Sequence, residues 1–348
     1  MRGLSGEPEG QAEMKVLVVG GGSIGRRHLK NLAALGVGPL GVVEIERETR
    51  DRIQNELRAE AFAILEEGLA WGPQFVVIAT PPHLHIEQAL AVAERGMDLF
   101  IEKPLTHRPE GIGELVSVLT RHNCVSLVGC NMRFHPGPAQ VKRFIDEGRL
   151  GKVLFARIHA GSYLPEWRPG TDYRQNYAAS VETGGGCMLD CIHEIDLARW
   201  YLGEVEEVMA CAALLSRLEI STEDYAFLLL RHENGAMSEV HLDYLQRSYE
   251  RGCQIAGEQG TLAWDFREGR VRWYDAARRE WNEIAQPPGW TVNDMYVAEM
   301  QHFLECVRKR AATALPVVEA ARVMEVVFAA KRAAREKSAI ALAREVIA

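Results

Sequence analysis

The sequence has no excess of basic residues and no long apolar run. It carries 40 lysines and arginines against 48 acidic residues in 348, for a formal net charge of -8. This balance argues against a nucleic-acid partner, which would require a basic face. No segment approaches the roughly 18 consecutive apolar residues of a transmembrane helix, so we expect no membrane partner.

Paired cysteine motifs are also missing. There are seven cysteines, none in a CxxC pair; Cys187 and Cys191 are four apart, but no second pair completes a zinc set. We therefore predict no metal site and expect reduced, mostly buried thiols in a cytoplasmic protein. Residues 1–13 are polar and lack the apolar core of a signal peptide. We expect them to be a disordered extension, with Met14 as an alternative start.

Short apolar runs alternate with helical stretches in the first third of the chain. The predicted strands are 15–19, 41–44, 75–80, 99–102 and 125–129, and the predicted helices are 24–35, 47–58, 85–95 and 109–122. This alternation predicts an α/β fold, a doubly wound parallel sheet with right-handed crossovers. We assign it to a dinucleotide-binding Rossmann domain over residues 14–131.

The rhythm changes after Asn131. Predicted helices at 141–147, 184–201, 292–310 and 317–336 surround strand-like runs at 153–159, 205–215, 225–231, 236–244, 253–257, 262–266 and 271–274. From Val205 to Tyr274 no long helix separates the runs, which is typical of a mostly antiparallel sheet. We predict an α+β domain over 132–335, with its last helices packing back on the first domain, and a tail over 336–348.

A glycine loop follows the first predicted strand. Gly20, Gly22 and Gly25 fit GxGxxG, in which the glycines permit a tight turn, approach of a pyrophosphate and close packing of helix on strand. Ser23 and Ile24 complete the loop at the N-terminus of the first helix, which favours phosphate. Glu44 ends the second strand, where a carboxylate can bind ribose hydroxyls and repel a 2′-phosphate. We therefore predict NAD, with Arg47 leaving NADP as an alternative.

Polar residues cluster at the ends of the later strands, where ligands of parallel sheets bind. Together with the glycine loop, the residues predicted to bind the cofactor are Thr80, Pro81, His85, Glu102, Lys103, Asn131 and Arg133. The alternatives are that Lys103 is a surface lysine and His85 a histidine that starts a helix, although the shared strand-end placement argues against the former. In a cleft, a lysine can transfer a proton or polarise an oxygen.

The second half offers a further pair of chemical groups. Asp190 and His193 are three residues apart, hence on one face of the predicted helix. An adjacent carboxylate can orient an imidazole and favour its protonated form. The same residues could instead be a solvated or core-satisfied pair. The preceding loop is rich in aromatic residues and arginine, which suits recognition of carbohydrate or phosphate. Its candidate substrate contacts are Trp167, Arg168, Tyr173 and Arg174.

Five motifs together resemble one family over nearly the whole chain. They are GGGSIGRRH from Gly20, ATPPHLH from Ala79, EKPL from Glu102, NMRFHP from Asn131 and GGGCMLDCIHEID from Gly184. They resemble the glucose-fructose oxidoreductase / inositol dehydrogenase / rhizopine catabolism (Gfo/Idh/MocA) family. The resemblance implies an NAD(P)-dependent oxidoreductase that transfers hydride to or from a secondary alcohol of a sugar, cyclitol or nucleotide sugar.

The resemblance also implies roles for individual residues. Lys103 would lie by the nicotinamide and the substrate, and His193 would be the acid/base. Arg133, at a strand end, is also a candidate substrate contact, as are Lys103, Asp190 and His193 themselves. Many relatives place an acid four residues before the histidine, whereas Asp190 is three before it, which puts its catalytic role in doubt. The loop from Tyr163 to Ala179 resembles relatives from nonulosonic or cell-surface sugar pathways.

The family implies an open-faced sheet in the second domain that makes a homodimer or homotetramer contact. Two other functions occur on the same fold. One is a redox-assisted glycosidase that recycles tightly held NAD, and the other is a non-catalytic, cofactor-binding regulator. Retention of both Lys103 and His193 counts against the regulator.

Overall fold

The computed structural model describes residues 14–342. They form two compact units, one ending at Ala79 and one beginning at Thr80. The predicted extension over 1–13 and the last residues of the predicted tail, 343–348, lie outside the described residues. None of the helices between residues 14 and 342 is long and apolar enough to cross a membrane.

The first unit is a parallel sheet with strand order β3-β2-β1-β4. Its elements are β1 (Val16–Val19), α1 (Ser23–Ala34), β2 (Leu40–Val43), α2 (Arg47–Leu57), β3 (Glu60–Phe62), α3 (Leu65–Ala70) and β4 (Phe75–Ile78). All four residues of β1 and of β4 are buried, as expected for central strands covered on both faces. β3 and α3 were not predicted, because each is too short to show a periodic pattern.

The second unit begins with α4 (His85–Ala93), β5 (Asp98–Glu102), α5 (Ile112–Arg121) and β6 (Ser126–Gly129). The strands β5 and β6 pair in parallel, with Leu99 opposite Ser126. Strand, helix and strand therefore continue in the predicted alternation. A 3₁₀ turn at Asn131–Phe134 then leads into α6 (Pro136–Asp146).

The rest of the second unit is built on a nine-stranded sheet of order β14-β13-β12-β11-β7-β10-β9-β8-β15. Its strands are β7 (Val153–Gly161), β8 (Val205–Ala213), β9 (Tyr225–His232), β10 (Met237–Asp243), β11 (Glu250–Gly257), β12 (Gly260–Asp265), β13 (Arg270–Asp275), β14 (Glu280–Ala285) and β15 (Ile340–Ala341). Every neighbouring pair is antiparallel except β7 with β10, so the prediction of a mostly antiparallel sheet is confirmed. Within the predicted tail, β15 pairs with β8, which the sequence analysis did not anticipate.

Helices α9 (Val292–Lys309) and α10 (Val317–Glu336) lie within about one residue of their predicted bounds. α9 begins with a capping box between Thr291 and Asp294. α10 packs on β8.

The alternate side chains of the sheet strands stay partly exposed, with Phe155 at 37% and Met209 at 45%.

The single helix predicted over 184–201 is wrong. The segment forms two helices, α7 (Cys187–Asp190) and α8 (Ile192–Leu202). Between them Cys191 has φ -94° and ψ 35°, outside helical geometry. Asp190 and His193 therefore do not share a continuous helical face. No glycine or proline marks this break in the sequence.

Candidate active site

The glycine loop of the first unit is built for close approach of backbone and ligand. Gly20 has φ 99°, a conformation that favours glycine. A Cβ on Gly25 would lie 1.8 Å from the Gly20 carbonyl oxygen, so α1 can pack on the loop only with glycine there. At Gly22, the N-cap of the 12-residue helix α1, a Cβ would meet nothing within 4 Å. This open space at a helix N-terminus fits a dinucleotide pyrophosphate.

Glu44 lies against the same loop. Its Oε2 accepts a hydrogen bond from the Gly21 N–H at 2.7 Å, and its Oε1 accepts one from the Glu46 N–H at 2.9 Å. A carboxylate has about four acceptor sites, so acceptor capacity remains for ribose hydroxyls. Arg47, the residue that left NADP open, is 85% exposed and lies 3.7 Å from Asp51. The residues present therefore fit NAD.

Two of the predicted strand-end residues serve the local structure of the second unit. His85 is fully buried, with Nδ1 2.9 Å from the Pro104 carbonyl oxygen and Nε2 2.8 Å from the Thr80 carbonyl oxygen. Burial lowers the pKa of His85 despite these contacts. The imidazole thus ties the Thr80 turn to the segment after Lys103. The Thr80 hydroxyl itself donates to Gln88 Oε1 at 2.7 Å.

Lys103 is anchored by Asp190. Its Nζ donates to the Asp190 backbone carbonyl at 2.9 Å and lies 3.3 Å from Asp190 Oδ1. The side chain of Lys103 is 20% exposed and that of Asp190 is 2% exposed. Burial alone would lower the pKa of Lys103, but nearby Tyr177, Asp190 and Glu102 raise it above its usual range. Lys103 is therefore a charged hydrogen-bond donor held in place by Asp190.

The break between α7 and α8 makes this anchor possible. In a continuous helix the Asp190 carbonyl would accept from the N–H four residues on, but that N–H, of Glu194, bonds the Cys191 carbonyl at 3.3 Å. The Asp190 carbonyl is left free to accept from Lys103.

Two tyrosines complete the set of donors around Asp190. The Tyr177 hydroxyl donates to Oδ1 at 2.6 Å and the Tyr244 hydroxyl donates to Oδ2 at 2.9 Å. Burial and the Asp190 carboxylate raise the pKa of both phenols, so they stay protonated donors. The sequence analysis gave neither tyrosine a role. Tyr177 stands in the aromatic loop, a weak signal, whereas nothing in the sequence marks Tyr244 at the end of β10.

His193 stands in the first turn of α8 and is 6% exposed. Its Nδ1 is buried and has no hydrogen-bond partner within residues 14–342. Burial, with added repulsion from Arg251 and Lys103, lowers the pKa of His193 well below its usual value. The expectation that Asp190 favours a protonated His193 is wrong, because the Asp190 oxygens are occupied by Lys103 and two tyrosines. His193 is a neutral imidazole.

Arg133, predicted to bind cofactor and substrate, has its guanidinium in a buried ion pair. Its Nε and one Nη donate to the Asp196 carboxylate at 2.8 and 2.6 Å, and its other Nη donates to the Ala314 carbonyl at 2.6 Å. Such bidentate geometry ties the turn at Asn131–Phe134 to α8 and to the segment before α10. Asn131 is buried at 5% exposure.

The aromatic loop brings one of its four predicted substrate residues against the Asp190 network. The Trp167 ring lies edge-on to Tyr244, with ring centroids 5.1 Å apart. Tyr173 lies elsewhere in the loop, where its hydroxyl accepts from the Glu219 N–H at 3.2 Å. Arg174 is exposed and pairs with Asp172 at 2.8 Å, and Arg168 is exposed.

A glycine loop beside the Glu44 carboxylate, and a largely buried lysine held by a carboxylate near a neutral imidazole, fit an NAD-dependent oxidoreductase. The chain belongs to the Gfo/Idh/MocA family. The family model described as "Oxidoreductase family, NAD-binding Rossmann fold" matches residues 14–130, which include β1 to β6. The "GFO/IDH/MocA C-terminal domain" model matches residues 139–263. The predicted family, fold class, NAD cofactor and enzyme class, acting on CH–OH groups, are confirmed.

Relatives of known activity match most of the chain. The scyllo-inositol 2-dehydrogenase (NAD(+)) of Bacillus subtilis strain 168 is 26% identical over 338 residues, which cover 93% of this chain and 94% of the relative. The levoglucosan dehydrogenase of Pseudarthrobacter phenanthrenivorans is 32% identical over 294 residues, which cover 73% of this chain and 74% of the relative.

Two solved structures share the fold. Levoglucosan dehydrogenase in complex with NADH and levoglucosan superposes with a TM-score of 0.86 at 21% identity, covering 95% of this chain and all of that chain. The WlbA dehydrogenase from Bordetella pertussis, in complex with NADH and UDP-GlcNAcA, superposes with a TM-score of 0.83 at 24% identity, covering 97% of this chain and all of that one.

Proposed function

We propose that this protein is an NAD-dependent dehydrogenase for a secondary alcohol of a sugar, cyclitol or nucleotide sugar. The observation that carries the proposal is the charged Lys103, held by both the carbonyl and the carboxylate of Asp190 beside the neutral His193. The named relatives that act on inositol and levoglucosan support the substrate class. Residues 14–131 would form the dinucleotide domain and residues 132–335 the substrate domain.

Each group has a distinct task in the oxidation direction. The Lys103 ammonium donates a hydrogen bond to the reacting hydroxyl and stabilises negative charge that develops on its oxygen. The neutral His193 imidazole accepts the hydroxyl proton as hydride leaves the carbinol carbon. NAD, when bound by the glycine loop and Glu44, supplies the hydride acceptor. Asp190, Tyr177 and Tyr244 act as positioning residues for Lys103.

The experiment is a substrate screen with the purified protein. Sugars, cyclitols and nucleotide sugars are incubated with NAD, and NADH is followed by absorbance. At least one compound is expected to give NADH in proportion to substrate consumed. Net hydrolysis of a glycoside without accumulating NADH would indicate the recycling glycosidase instead. Cofactor binding without turnover on any of these compounds would contradict the proposal.

The lowered pKa of His193 predicts the pH dependence of the oxidation. A base is active when deprotonated, and a pKa below the ordinary 6.5 keeps the imidazole deprotonated at lower pH. The acidic limb of kcat/KM for alcohol oxidation is therefore expected to have its midpoint below pH 6.5. Because the pKa of Lys103 is raised, no alkaline limb from this residue is expected below pH 10. Rates measured from pH 4.5 to 10 in buffers of constant ionic strength test both statements. A midpoint at or above 7 would rule out His193 as the base.

Glu44 is expected to set the preference for NAD over NADP. Glu44→Gln keeps the shape and one acceptor oxygen but removes the charge that repels a 2′-phosphate. The ratio of Kd for NADP to Kd for NAD is expected to fall about tenfold, corresponding to about 1.4 kcal/mol. Titration calorimetry with both cofactors measures it, with Glu46→Gln as the matched control. Equal binding of NAD and NADP by the unaltered protein would refute the assignment.

We further propose that the protein assembles as a homodimer or homotetramer in the cytoplasm. The partly exposed face of the large sheet supports the assembly, since β-sheet pairing sets Met209 beside Leu229 and Met237 beside Phe155. Apolar patches of this kind mark interaction surfaces.

All seven cysteines are free, which supports a reducing compartment.

A further inference from the structure

An open groove of about 590 Å³ lies in the second unit. Three loops line it: the aromatic loop after β7, the loop between β8 and β9, and the loop between β10 and β11. The first supplies Tyr163 and Tyr173, the second Leu215 and Leu218, and the third Leu245. The lining is therefore apolar and partly aromatic, as in sites that hold the rings of small molecules.

Two arginines bring positive charge to this groove. Arg217 has no hydrogen-bond or ion-pair partner in the part of the chain that the structure describes. Arg247 packs its guanidinium over the Tyr163 ring, 3.6 Å from the centroid, and is 71% exposed. Its nearest carboxylate oxygen, from Glu166, is 3.7 Å away, beyond hydrogen-bond distance.

Apart from Glu166, which lies 3.7 Å from Arg247, the acidic residues around the groove have other partners. Asp172 forms an ion pair with Arg174, which also pairs with Glu219. The Asp224 carboxylate accepts hydrogen bonds from the backbone N–H groups of Leu215 and Ser216, so it fixes the loop between β8 and β9. Among residues 14–342 Arg217 has no ion-pair partner, and Arg247 makes no hydrogen bond with Glu166, its only carboxylate neighbour there. A guanidinium with open donors is suited to bidentate contact with a carboxylate or phosphate.

The wall of the groove is continuous with the Asp190 network. The Leu164 N–H donates to the Tyr244 carbonyl at 3.2 Å, so the residue after Tyr163 is tied to the residue before Leu245. The Trp167 ring packs on Tyr244, whose hydroxyl donates to Asp190. A short chain of contacts through Tyr244 therefore links the wall of the groove to the Asp190 carboxylate that holds Lys103.

We propose that this groove binds an anionic substituent of the substrate, a carboxylate or a phosphate, beyond the ring that is oxidised. The inference rests on the proposed dehydrogenase function and narrows its substrate class to acidic or phosphorylated sugars. Arg217 and Arg247 hold the anion, while Tyr163, Tyr173 and the leucines contact the carbon skeleton. A neutral monosaccharide has no anionic group for Arg217 and Arg247 to hold.

The test is a binding experiment on the whole protein saturated with NAD. Titration calorimetry compares glucose with glucuronate, which carries a carboxylate, and with glucose 1-phosphate and UDP-glucose, which carry phosphate. At least one anionic sugar is expected to bind ten times more tightly than glucose. Arg217→Ala with Arg247→Ala is expected to weaken that ligand by tenfold or more and to leave glucose unchanged. Comparing the affinity for glucuronate with the affinities for the phosphorylated sugars shows which anion the groove prefers.

Arg278→Ala is the matched control, since Arg278 is 75% exposed between β13 and β14. It is expected to bind every ligand as the unaltered protein does. For an anionic sugar that is turned over, the double variant is expected to raise KM tenfold with kcat within twofold. The proposal is overturned if no anionic sugar binds more tightly than glucose, or if the double variant binds them all unchanged. Failure of the dehydrogenase proposal is a separate result, in which the anionic sugars bind but no NADH forms.

Discussion

Replacing Lys103 with methionine is expected to lower kcat by about a thousandfold while NAD binding stays the same. The substitution removes the only charged donor assigned to the reacting oxygen, and loss of one such donor in other enzymes costs about 10²–10³ in rate. Asp190 keeps the Tyr177 and Tyr244 hydroxyls as donors. The variant should therefore fold normally, and the fall in kcat should come from the missing donor to the reacting oxygen.

The measurement is kcat on whichever substrate the screen identifies, together with the Kd for NAD by calorimetry and the melting temperature. Lys309→Met is the control, because Lys309 is 67% exposed on α9. Lys103→Arg adds a second comparison, since it keeps the charge but changes the donor geometry. A Lys103→Met variant with kcat within tenfold of the unaltered protein would remove Lys103 from the mechanism.

Gly25→Ala is expected to abolish measurable NAD binding. The added Cβ would lie 1.8 Å from the Gly20 carbonyl oxygen, so the loop and α1 must move apart. Overpacking of this kind typically costs about 1–3 kcal/mol of folding free energy, and it displaces the N–H groups that would hold the pyrophosphate. Urea unfolding and calorimetric titration with NAD measure the two effects.

Gly22→Ala is the matched control for Gly25→Ala. A Cβ at Gly22 meets nothing within 4 Å, and its φ of -67° is open to any residue. Its folding free energy should stay within about 0.5 kcal/mol, as for ordinary surface substitutions. Any loss of NAD affinity in Gly22→Ala must then come from contact between the added methyl group and NAD, and not from a disturbed loop. Equal destabilisation by both variants would mean that the loop is not packed as the structure shows.

The fold was predictable wherever the pattern was long and buried. The apolar runs of β1 and β4, and the amphipathic stretch of α10, specify their own secondary structure. The elements that escaped prediction are short or exposed: β3 has three residues, and β14 is largely exposed on the edge of its sheet. Such segments are strands because a neighbour pairs with them, and pairing across the chain leaves no local pattern.

The candidate site was predictable as a set of residues but not as a network. Lys103, Asp190 and His193 were each singled out, yet the expected partner of Asp190 was His193. The hydroxyl donors are Tyr177, in a loop 13 residues from Asp190, and Tyr244, at a strand end 54 residues from it. The contact of Lys103 with the Asp190 carbonyl depends on the break at Cys191, which no residue type at that position predicts.

The backbone carbonyl of Asp190 has a consequence for how this site tolerates sequence change. Of the two atoms that hold the Lys103 ammonium, the nearer one belongs to the main chain and is present whatever amino acid occupies position 190. Mutational scanning at this position therefore reports only the contribution of the side chain. A substitution at position 190 can therefore remove the acid and leave Lys103 its nearer acceptor, provided that the interruption between α7 and α8 is kept.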